Sequence, residues 1–469
     1  MARKKQEYPV AEKVEILDAG SEGKSIGKIE EKVVFVPFVV PGDVVDVKIL
    51  KKKKSYFVGK PVHFHTYSSQ RTEPRCEHFG TCGGCRWQNM QYESQLHYKQ
   101  KQVEDNLQRI AKVKLPEIRS ILPSPKIFFY RNKLHFTFSN RRWLTEYSRD
   151  ISFEDRNMNG LGFHMSSMFD RVLDLDNCYL QPEPSNSLRL AVKKYAEEHN
   201  LDFYDVRNSS GFLRNLVVRN TTAGEWMAIM VFNYRDEDPI EGIMEFIRTN
   251  FPQINSLNYV INQKVNDCIN DLPVYLYAGK PYITEVMNGL QFRIGPMSFF
   301  QTNSEQALVM YEKALEFAGL QGGEIVYDLY TGTGTIANFV ARSSSKVVGI
   351  EYIKTAVDDA KVNSEINDIT NTVFYSGDIA KIMDDAFIAR NGRADVVITD
   401  PPRAGMHEKV VRQILKINPE KIVYISCNPA TQARDVAILD ENYQVEIVQP
   451  VDMFPHTHHV ENIILLRRR

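Results

Sequence analysis

A cysteine late in the chain has the sequence surroundings of a nucleophile. Cys427 stands in "SCNPA" (426–430), after the apolar run "KIVYI" and before a stretch of helical composition. A thiol placed just before a helix lies near the positive end of the helix dipole, which favours the thiolate. Free cysteines are more often buried and inert, so this position alone leaves both interpretations open.

Acidic residues end three other apolar runs in the same part of the chain. Glu351, Asp378 and Asp400 close "KVVGIE", "NTVFYSGD" and "ADVVITD". The preceding "YDLYTGTGTI" contains Gly332 and Gly334, which permit a tight turn and close approach of a ligand, but it lacks the third glycine of a dinucleotide-binding turn. Helix capping explains any one of these acids but not all three together. Carboxylates at successive strand ends suit a cationic nucleoside such as S-adenosylmethionine.

A second group of cysteines has the spacing of a metal site. Cys76, Cys82 and Cys85 form CxxxxxCxxC, and Cys178 follows far downstream in "LDNCYL". Four thiolates hold either a zinc ion or a [4Fe-4S] cluster. Six cysteines among 469 residues are too sparse for a disulfide scaffold, so we expect a reducing, cytoplasmic location. Cys268 has no partner signal and is assigned to packing.

The elements that position these residues divide into three predicted domains. Residues 1–68 read as short β segments of an OB-like barrel with a lysine hairpin, "KKKK", and residues 69–295 as a mixed α+β region. In residues 296–469, seven apolar runs alternate mostly with helical stretches, which predicts a doubly wound α/β domain with a mostly parallel sheet. A formal net charge of -1 argues against unspecific coating of nucleic acid, and no apolar run is long enough to span a membrane.

Six segments of the last domain resemble the RNA uracil-5-methyltransferase family: "SFFQTN", "DLYTGTGT", "GIEY", "DPPRAG", "SCNPATQARD" and "VENIILLRR". The resemblance implies a Rossmann-like, S-adenosylmethionine-dependent methyltransferase domain and an N-terminal barrel of the TRAM type, whose usual partner is RNA. It also implies a set of cofactor-binding residues: Gln301, Tyr330, Gly332, Gly334, Glu351, Asp378 and Asp400.

The same resemblance assigns a nucleophile and a base. Carbon 5 of uracil is too weak a nucleophile to attack a methyl sulfonium until a thiolate adds to carbon 6, and a base must later remove the carbon 5 proton. Cys427 and Glu461, which opens the last strand, hold these family positions. Arg403 follows the two prolines of "DPPR", where enzymes that methylate exocyclic amines commonly carry an aromatic residue. Uracil is therefore favoured, and its base must leave the RNA stack to react.

The cysteine group resembles the cluster site of the ribosomal RNA branch of this family, the RumA-like 23S rRNA (uracil-5-)-methyltransferases. We therefore expect a [4Fe-4S] cluster, with zinc as the alternative, bound by Cys76, Cys82, Cys85 and Cys178. The transfer RNA branch, TrmA-like, typically lacks both this site and the barrel. The predicted activity is 5-methyluridine formation in 23S rRNA or a ribosomal precursor, by a monomer without a membrane partner.

Two alternatives remain open. The first is a transfer RNA T-loop methyltransferase, and the second is an RNA-binding assembly factor or iron-sulfur sensor with a catalytically silent domain. The presence of both Cys427 and Glu461 counts against the second. Among basic residues within β-like runs, phosphate contact and a plain solvated strand face are equally supported: Arg131, Lys133, Arg214 and Arg219. A metal site at His456, His458 and His459 is disfavoured, because no acid or cysteine completes it.

Overall fold

The structure is a computed structural model that describes residues 9–145, 152, 156–166 and 168–469. It contains a closed five-stranded barrel, an eight-stranded central sheet, a two-stranded hairpin and a seven-stranded sheet. The first eight residues of the predicted barrel domain lie outside the described part of the chain. Within the described ranges, no helix is both long and apolar enough to cross a membrane.

The barrel forms because its strands alternate between buried apolar and exposed polar residues, as a sheet closed on itself requires. Val45, Val47 and Ile49 point inward, whereas Lys48 between them is exposed. The lysines at 51–54 are exposed where one strand turns into the next, so the predicted lysine hairpin is confirmed. The strands are β1 (Val10–Ala19), β2 (Lys24–Ile29), β3 (Lys32–Pro37), β4 (Val44–Lys52) and β5 (Tyr56–Thr66), in the order β1-β2-β3-β5-β4.

The helix that follows the cysteine loop packs on a distant part of the chain. It is α1 (Tyr92–Asn106), which continues into a single π-helical turn at Leu107–Ala111. Val103 and Leu107 are fully buried in the same core as Ile464 and Leu466 of the last strand. A segment between the barrel and the central sheet is thus part of a core of the α/β domain.

The central sheet is buried on both faces. On one face, Leu216 and Val218 pack against the two helices of this region. On the other face, Val217, Met227 and Ile229 belong to a core shared with the α/β domain. Its strands are β6 (Lys133–Ser139), β7 (Arg142–Trp143), β8 (Gly160–Met165), β9 (Met168–Asp174), β10 (Leu213–Asn220), β11 (Trp226–Phe232), β12 (Ile254–Ile261) and β13 (Val274–Gly279), and its helices are α2 (Ser185–Glu198) and α3 (Glu237–Asn250). The order is β13-β12-β11-β10-β6-β8-β9-β7.

Two arginines of β10 bind protein rather than solvent. Arg214 is fully buried and donates to the carbonyl oxygen of Asn262 (2.7 Å) and to the Asp267 carboxylate (3.0 Å). Arg219, also buried, donates to the carbonyl oxygens of Gly295 (3.0 Å) and Ser298 (2.9 Å). Both interpretations left open by the sequence, contact with phosphate and exposure to solvent, are therefore wrong for these two residues. Their hydrogen bonds connect β10 to the segments that follow it.

The seven-stranded sheet confirms the predicted α/β domain. Its first five strands are parallel, and the last strand runs antiparallel between the fifth and the sixth. The hairpin β14 (Ile283–Met287) and β15 (Leu290–Ile294) and the helix α4 (Ser304–Ala318) precede the sheet in the chain and share one of its cores. The strands are β16 (Ile325–Leu329), β17 (Lys346–Glu351), β18 (Thr372–Ser376), β19 (Val396–Thr399), β20 (Lys421–Ser426), β21 (Tyr443–Val451) and β22 (Glu461–Arg468), in the order β18-β17-β16-β19-β20-β22-β21. The helices are α5 (Thr335–Ala341), α6 (Lys354–Glu365), α7 (Ile379–Ile382), α8 (Asp385–Asn391), α9 (Glu408–Ile417) and α10 (Pro429–Leu439).

Candidate active site

Cys427 and Glu461 lie side by side at one edge of the sheet. Strands β20 and β22 are antiparallel, and their last register pair joins Ser426 to Asn462. Cys427 directly follows the end of β20 and Glu461 is the first residue of β22, so both lie beside this last pair, close enough for the carboxyl to act on the thiol. Glu461 is 4% exposed, whereas Cys427 is partly exposed. This arrangement gives one thiol and one carboxyl to a common cleft.

The loop after Cys427 is fixed by its own hydrogen bonds. The Asn428 side chain caps α10 by accepting from the Ala430 amide (3.1 Å), and it donates to the carbonyl oxygen of Arg403 (3.0 Å). Pro429 occupies the first helical position, where its missing N–H leaves no bond unmade. The "SCNP" and "DPPR" segments are thereby held together.

The thiol is not a preformed thiolate. Burial, together with the nearby carboxyls of Glu461 and Asp400, raises the pKa of Cys427 to about 11, although Arg403 opposes that rise. The prediction that the helix start favours the thiolate is therefore wrong for the protein alone. Desolvation and two acids outweigh the dipole of α10, because a dipole end acts as only a fraction of a charge.

The cleft holds more buried acid than base. Burial raises the pKa of Asp400 and of Asp328 to about 7 each, and burial with the Asp400 charge raises the pKa of Glu461 well above its ordinary value. Arg403 opposes this shift at Glu461. Sequence reasoning missed Asp328 and the buried Tyr311 of α4, whose pKa is raised by burial and by the carboxyls around it. Both residues lie within largely apolar elements, so no local sequence pattern marks them as part of the site.

The glycine turn after β16 leaves room on its open side. Tyr330, Gly332 and Gly334 all have positive φ angles (62°, 55° and 77°). A Cβ on Gly334 would come within 2.8 Å of the Ala360 side chain, whereas one on Gly332 would meet nothing within 4 Å. Glu351 accepts the Gly332 amide (3.2 Å), which fixes its carboxylate beside the turn. A ligand can therefore approach the backbone at Gly332.

The remaining predicted cofactor residues lie at the same edge of the sheet. The Gln301 side chain donates to the Asp400 carboxylate (3.4 Å). Asp378 caps the short helix α7 by accepting from the Ala380 amide (3.0 Å), so helix capping does describe this acid. Its predicted contact with the cofactor stays a prediction.

The four predicted metal cysteines converge from two distant segments. Cys76, Cys82, Cys85 and Cys178 line one small cavity with apolar side chains. Burial raises the pKa of Cys85 to about 12, and the charges of the other three cysteines contribute to the rise. The backbone amide of Cys76 donates to the Gln88 side chain (3.1 Å), which ties the loop to its own end.

The spacing of these thiols is wide for a single ion. Among the described residues, no three of the cysteine Sγ atoms lie within 4.8 Å of one another. A tetrahedral zinc ion with Zn–S bonds of about 2.3 Å requires sulfur atoms only about 3.8 Å apart. A four-iron cluster gives each thiolate its own iron atom, so its ligands stand farther apart. The four-thiolate donor set suits the cluster, which stays a prediction.

Other predicted contacts divide between surface and core. Arg131 stays partly exposed and stacks over the Phe454 ring at 5.2 Å, whereas burial lowers the pKa of Lys133 to about 8. Burial also lowers the pKa of His456 to about 4 and that of His459 to about 3, so both are neutral at pH 7. His459 lies 3.4 Å from the Arg403 guanidinium, at the mouth of the cleft.

Comparison with known proteins identifies the family. The profile described as tRNA (uracil-5-)-methyltransferase matches residues 278–469, and the TRAM domain profile matches residues 11–62. A relative from Bacteroides thetaiotaomicron, named as an RNA methyltransferase, is 54% identical over 96% of this chain and 100% of its own. A Porphyromonas gingivalis relative of the same description is 50% identical over 97% and 99%. The chain belongs to the RNA (uracil-5-)-methyltransferase family. The predicted resemblance and the TRAM barrel are confirmed.

A solved member has the same architecture throughout. The tRNA (uracil-54, C5)-methyltransferase of Pyrococcus abyssi, in complex with S-adenosyl-L-homocysteine, is 28% identical to this family member with a TM-score of 0.75. The match covers 97% of this chain and 100% of that one. The uncovered remainder is shorter than the barrel, so the likeness includes the N-terminal domain.

Asp400→Asn is expected to raise the stability of the ligand-free protein at pH 8. The carboxyl has a pKa near 3.8 when unfolded and about 7 when folded, so the folded state binds more protons between these values and loses stability as pH rises through this window. Asparagine removes that loss. The melting temperature of the variant should exceed that of the wild type by roughly 2 °C or more at pH 8, and the gain should vanish toward pH 4.

Asp378→Asn is the matched control for thermal melting at pH 5, 6, 7 and 8. Asparagine caps a helix as well as aspartate does, so this variant should melt as the wild type does. An Asp400→Asn protein that melts below the wild type at pH 8 would contradict the assignment of Asp400 as a destabilising buried acid.

Proposed function

We propose that the protein transfers a methyl group from S-adenosylmethionine to carbon 5 of a uridine in structured RNA. The observation that carries the proposal is the proximity of Cys427, just after β20, to Glu461, at the start of β22, among buried acids. Methylation of carbon 5 needs one thiol and one base on the same side of a cofactor pocket. A binding-only protein needs neither, which disfavours the assembly factor or sensor.

The methyl donor is held at the carboxyl edge of the sheet. Gln301, Tyr330, Glu351, Asp378 and Asp400, with the glycine turn, form its site. The positive charge of its sulfonium stabilises the ionised form of the buried carboxyls, whereas burial alone favours their protonated form. The solved relative in complex with S-adenosyl-L-homocysteine supports this assignment.

Donor binding also prepares the nucleophile. The carboxyls that raise the pKa of Cys427 are the ones that face the incoming cation, so binding the cation lowers the thiol pKa. The thiolate adds to carbon 6, the electron pair moves to the carbon 4 oxygen, and the resulting enolate takes the methyl group at carbon 5. Glu461 then accepts the carbon 5 proton, and the sulfur leaves carbon 6 with its bonding pair.

The substrate we propose first is 23S rRNA or a ribosomal precursor. The support is the cysteine group; the TRAM barrel, which exposes its lysines at 51–54, supports RNA binding in general. A transfer RNA uridine is the second candidate, because the Pyrococcus abyssi enzyme acts on tRNA and matches this chain along nearly its whole length. The barrel therefore does not separate the two substrates.

The four cysteines bind a [4Fe-4S] cluster in this proposal, and zinc is the alternative. The cluster joins the loop at 76–85 to the segment at Cys178, so its role is to hold the RNA-binding region together. We keep the division at 1–68, 69–295 and 296–469, a monomeric state and a cytoplasmic location as predictions.

Cys427→Ala should abolish methyl transfer and the adduct with 5-fluorouridine RNA, because no thiolate remains to add to carbon 6. Glu461→Gln should accumulate a covalent RNA complex with ordinary substrate and turn over on the order of 100-fold more slowly. Gel shift under denaturing conditions measures the adduct, and exposed Cys268→Ala and Glu446→Gln are the controls. Full activity of Cys427→Ala would refute the mechanism.

Labelled S-adenosylmethionine, offered with unmodified 23S rRNA and tRNA in parallel, tests the substrate. We expect 5-methyluridine in 23S rRNA when the nucleosides are separated by mass spectrometry. The same nucleoside in tRNA alone would keep the chemistry and replace the substrate.

Anaerobically purified protein should contain about four iron and four sulfide per chain. Cys76→Ser should lose both, since its thiolate lines the cavity, whereas Cys268→Ser should keep them. One zinc ion without sulfide would overturn the cluster.

A further inference from the structure

A fully buried ion pair joins α1 to the loop that precedes the catalytic base. The Lys99 ammonium lies 2.5 Å from the Asp452 carboxylate, and both side chains are 0% exposed. Among the described ion pairs, no other has both partners at zero exposure. A buried ion pair adds little net stability, because desolvation offsets the attraction. Its value here must therefore lie in the geometry that it fixes.

Asp452 is placed next to Glu461. It directly follows Val451, which is the register partner of Glu461 at the open end of β21 and β22. Lys99 also donates to the carbonyl oxygen of Phe454 (3.0 Å), and Asp452 accepts the Phe454 amide (3.1 Å). The ion pair thus fixes the start of the loop at 452–460. The end of this loop is directly followed by Glu461.

The same face of α1 holds the rest of this loop. Tyr92, Gln95 and Lys99 are spaced by three and four residues and so lie on one side of the helix. Tyr92 donates its hydroxyl to the Asp452 carboxylate (2.8 Å), and the side-chain oxygen of Gln95 accepts the backbone amide of His456 (2.8 Å). The carbonyl oxygen of His456 accepts the backbone amides at 86 and 87, directly after the cysteine loop. The loop is clamped from both sides.

We propose that Lys99, acting through Asp452, is a positioning residue for the Glu461 carboxyl in the elimination step. The inference rests on the proposed function. Cys427 is held in addition by the contacts of Asn428, so loss of the Lys99 pair shifts the base more than the nucleophile. The affected step moves the carbon 5 proton to Glu461, turns the C–H electron pair into the C5–C6 double bond, and returns the C6–S pair to sulfur.

Lys99→Met is the test. Addition and methyl transfer should proceed while elimination slows, so the methylated covalent RNA adduct accumulates with ordinary uridine substrate. The turnover number should fall on the order of 10- to 100-fold, as expected for a base displaced by about 1 Å, with the KM for RNA unchanged within about twofold. A purely structural role would lower adduct formation and turnover together.

Lys193→Met is the matched control. Lys193 is also 2.5 Å from its partner, Asp174, with little exposure, but it lies in the central domain. This variant should show no adduct. Tyr92→Phe removes only the hydroxyl bond to Asp452 and should give a smaller change in the same direction, so the inference remains testable if Lys99→Met does not fold.

The outcomes separate the two proposals. Unchanged turnover in Tyr92→Phe and Lys99→Met, or equal loss of adduct and turnover, would overturn the positioning role while wild-type methylation stands. Absence of methyl transfer by the wild type, or absence of adduct in Glu461→Gln, would overturn the proposed function and the inference with it.

Discussion

An excess of buried negative charge at one edge of the seven-stranded sheet is the constraint on which the site depends. Asp328, Asp400 and Glu461 all have raised pKa values, and Arg403 is the cation that opposes the shift at Glu461. Such a cleft is unfavourable when it is ionised and without a cation, and it becomes favourable when it receives one. The buried carboxyls thus lower the stability of the ligand-free protein and favour the binding of a positively charged ligand. In the proposed mechanism, Asp400 and Glu461 also keep the thiol of Cys427 protonated until that ligand is bound.

The antiparallel last strand gives this pocket the arrangement that the proposed covalent chemistry requires. If β22 were parallel to β20, Glu461 would lie at the opposite edge of the sheet from Cys427. Its reversal places the carboxyl opposite the thiol, and its insertion between β20 and β21 covers both sides of the strand with hydrogen bonds. The loop at 452–460 then connects the start of β22, where Glu461 lies, to α1 and to the end of the cysteine loop.

Much of this was predictable from sequence, because buried strands and their terminal residues leave local patterns. All seven strands of the catalytic domain and the barrel hairpin are where the apolar runs indicated. The buried contacts of Arg214 and Arg219 were not predictable, because the sequence around a basic residue in a strand is the same whether the residue faces phosphate or buried carbonyl groups. The pKa of Cys427 depends on acids from two other segments, and Lys99 finds Asp452 across 353 positions of chain. Such long-range pairs have no local pattern.

One core of the seven-stranded sheet includes an element from much earlier in the chain. That element is α1, which is made early, whereas the strand that carries Glu461 is made much later and belongs in the interior of the sheet. During synthesis, α1 leaves the ribosome with its buried lysine unpaired and must wait for the strands that cover it. In the proposed mechanism, nucleophile and base therefore meet only once β22 has been inserted, so a chain interrupted before that strand is not expected to react with RNA.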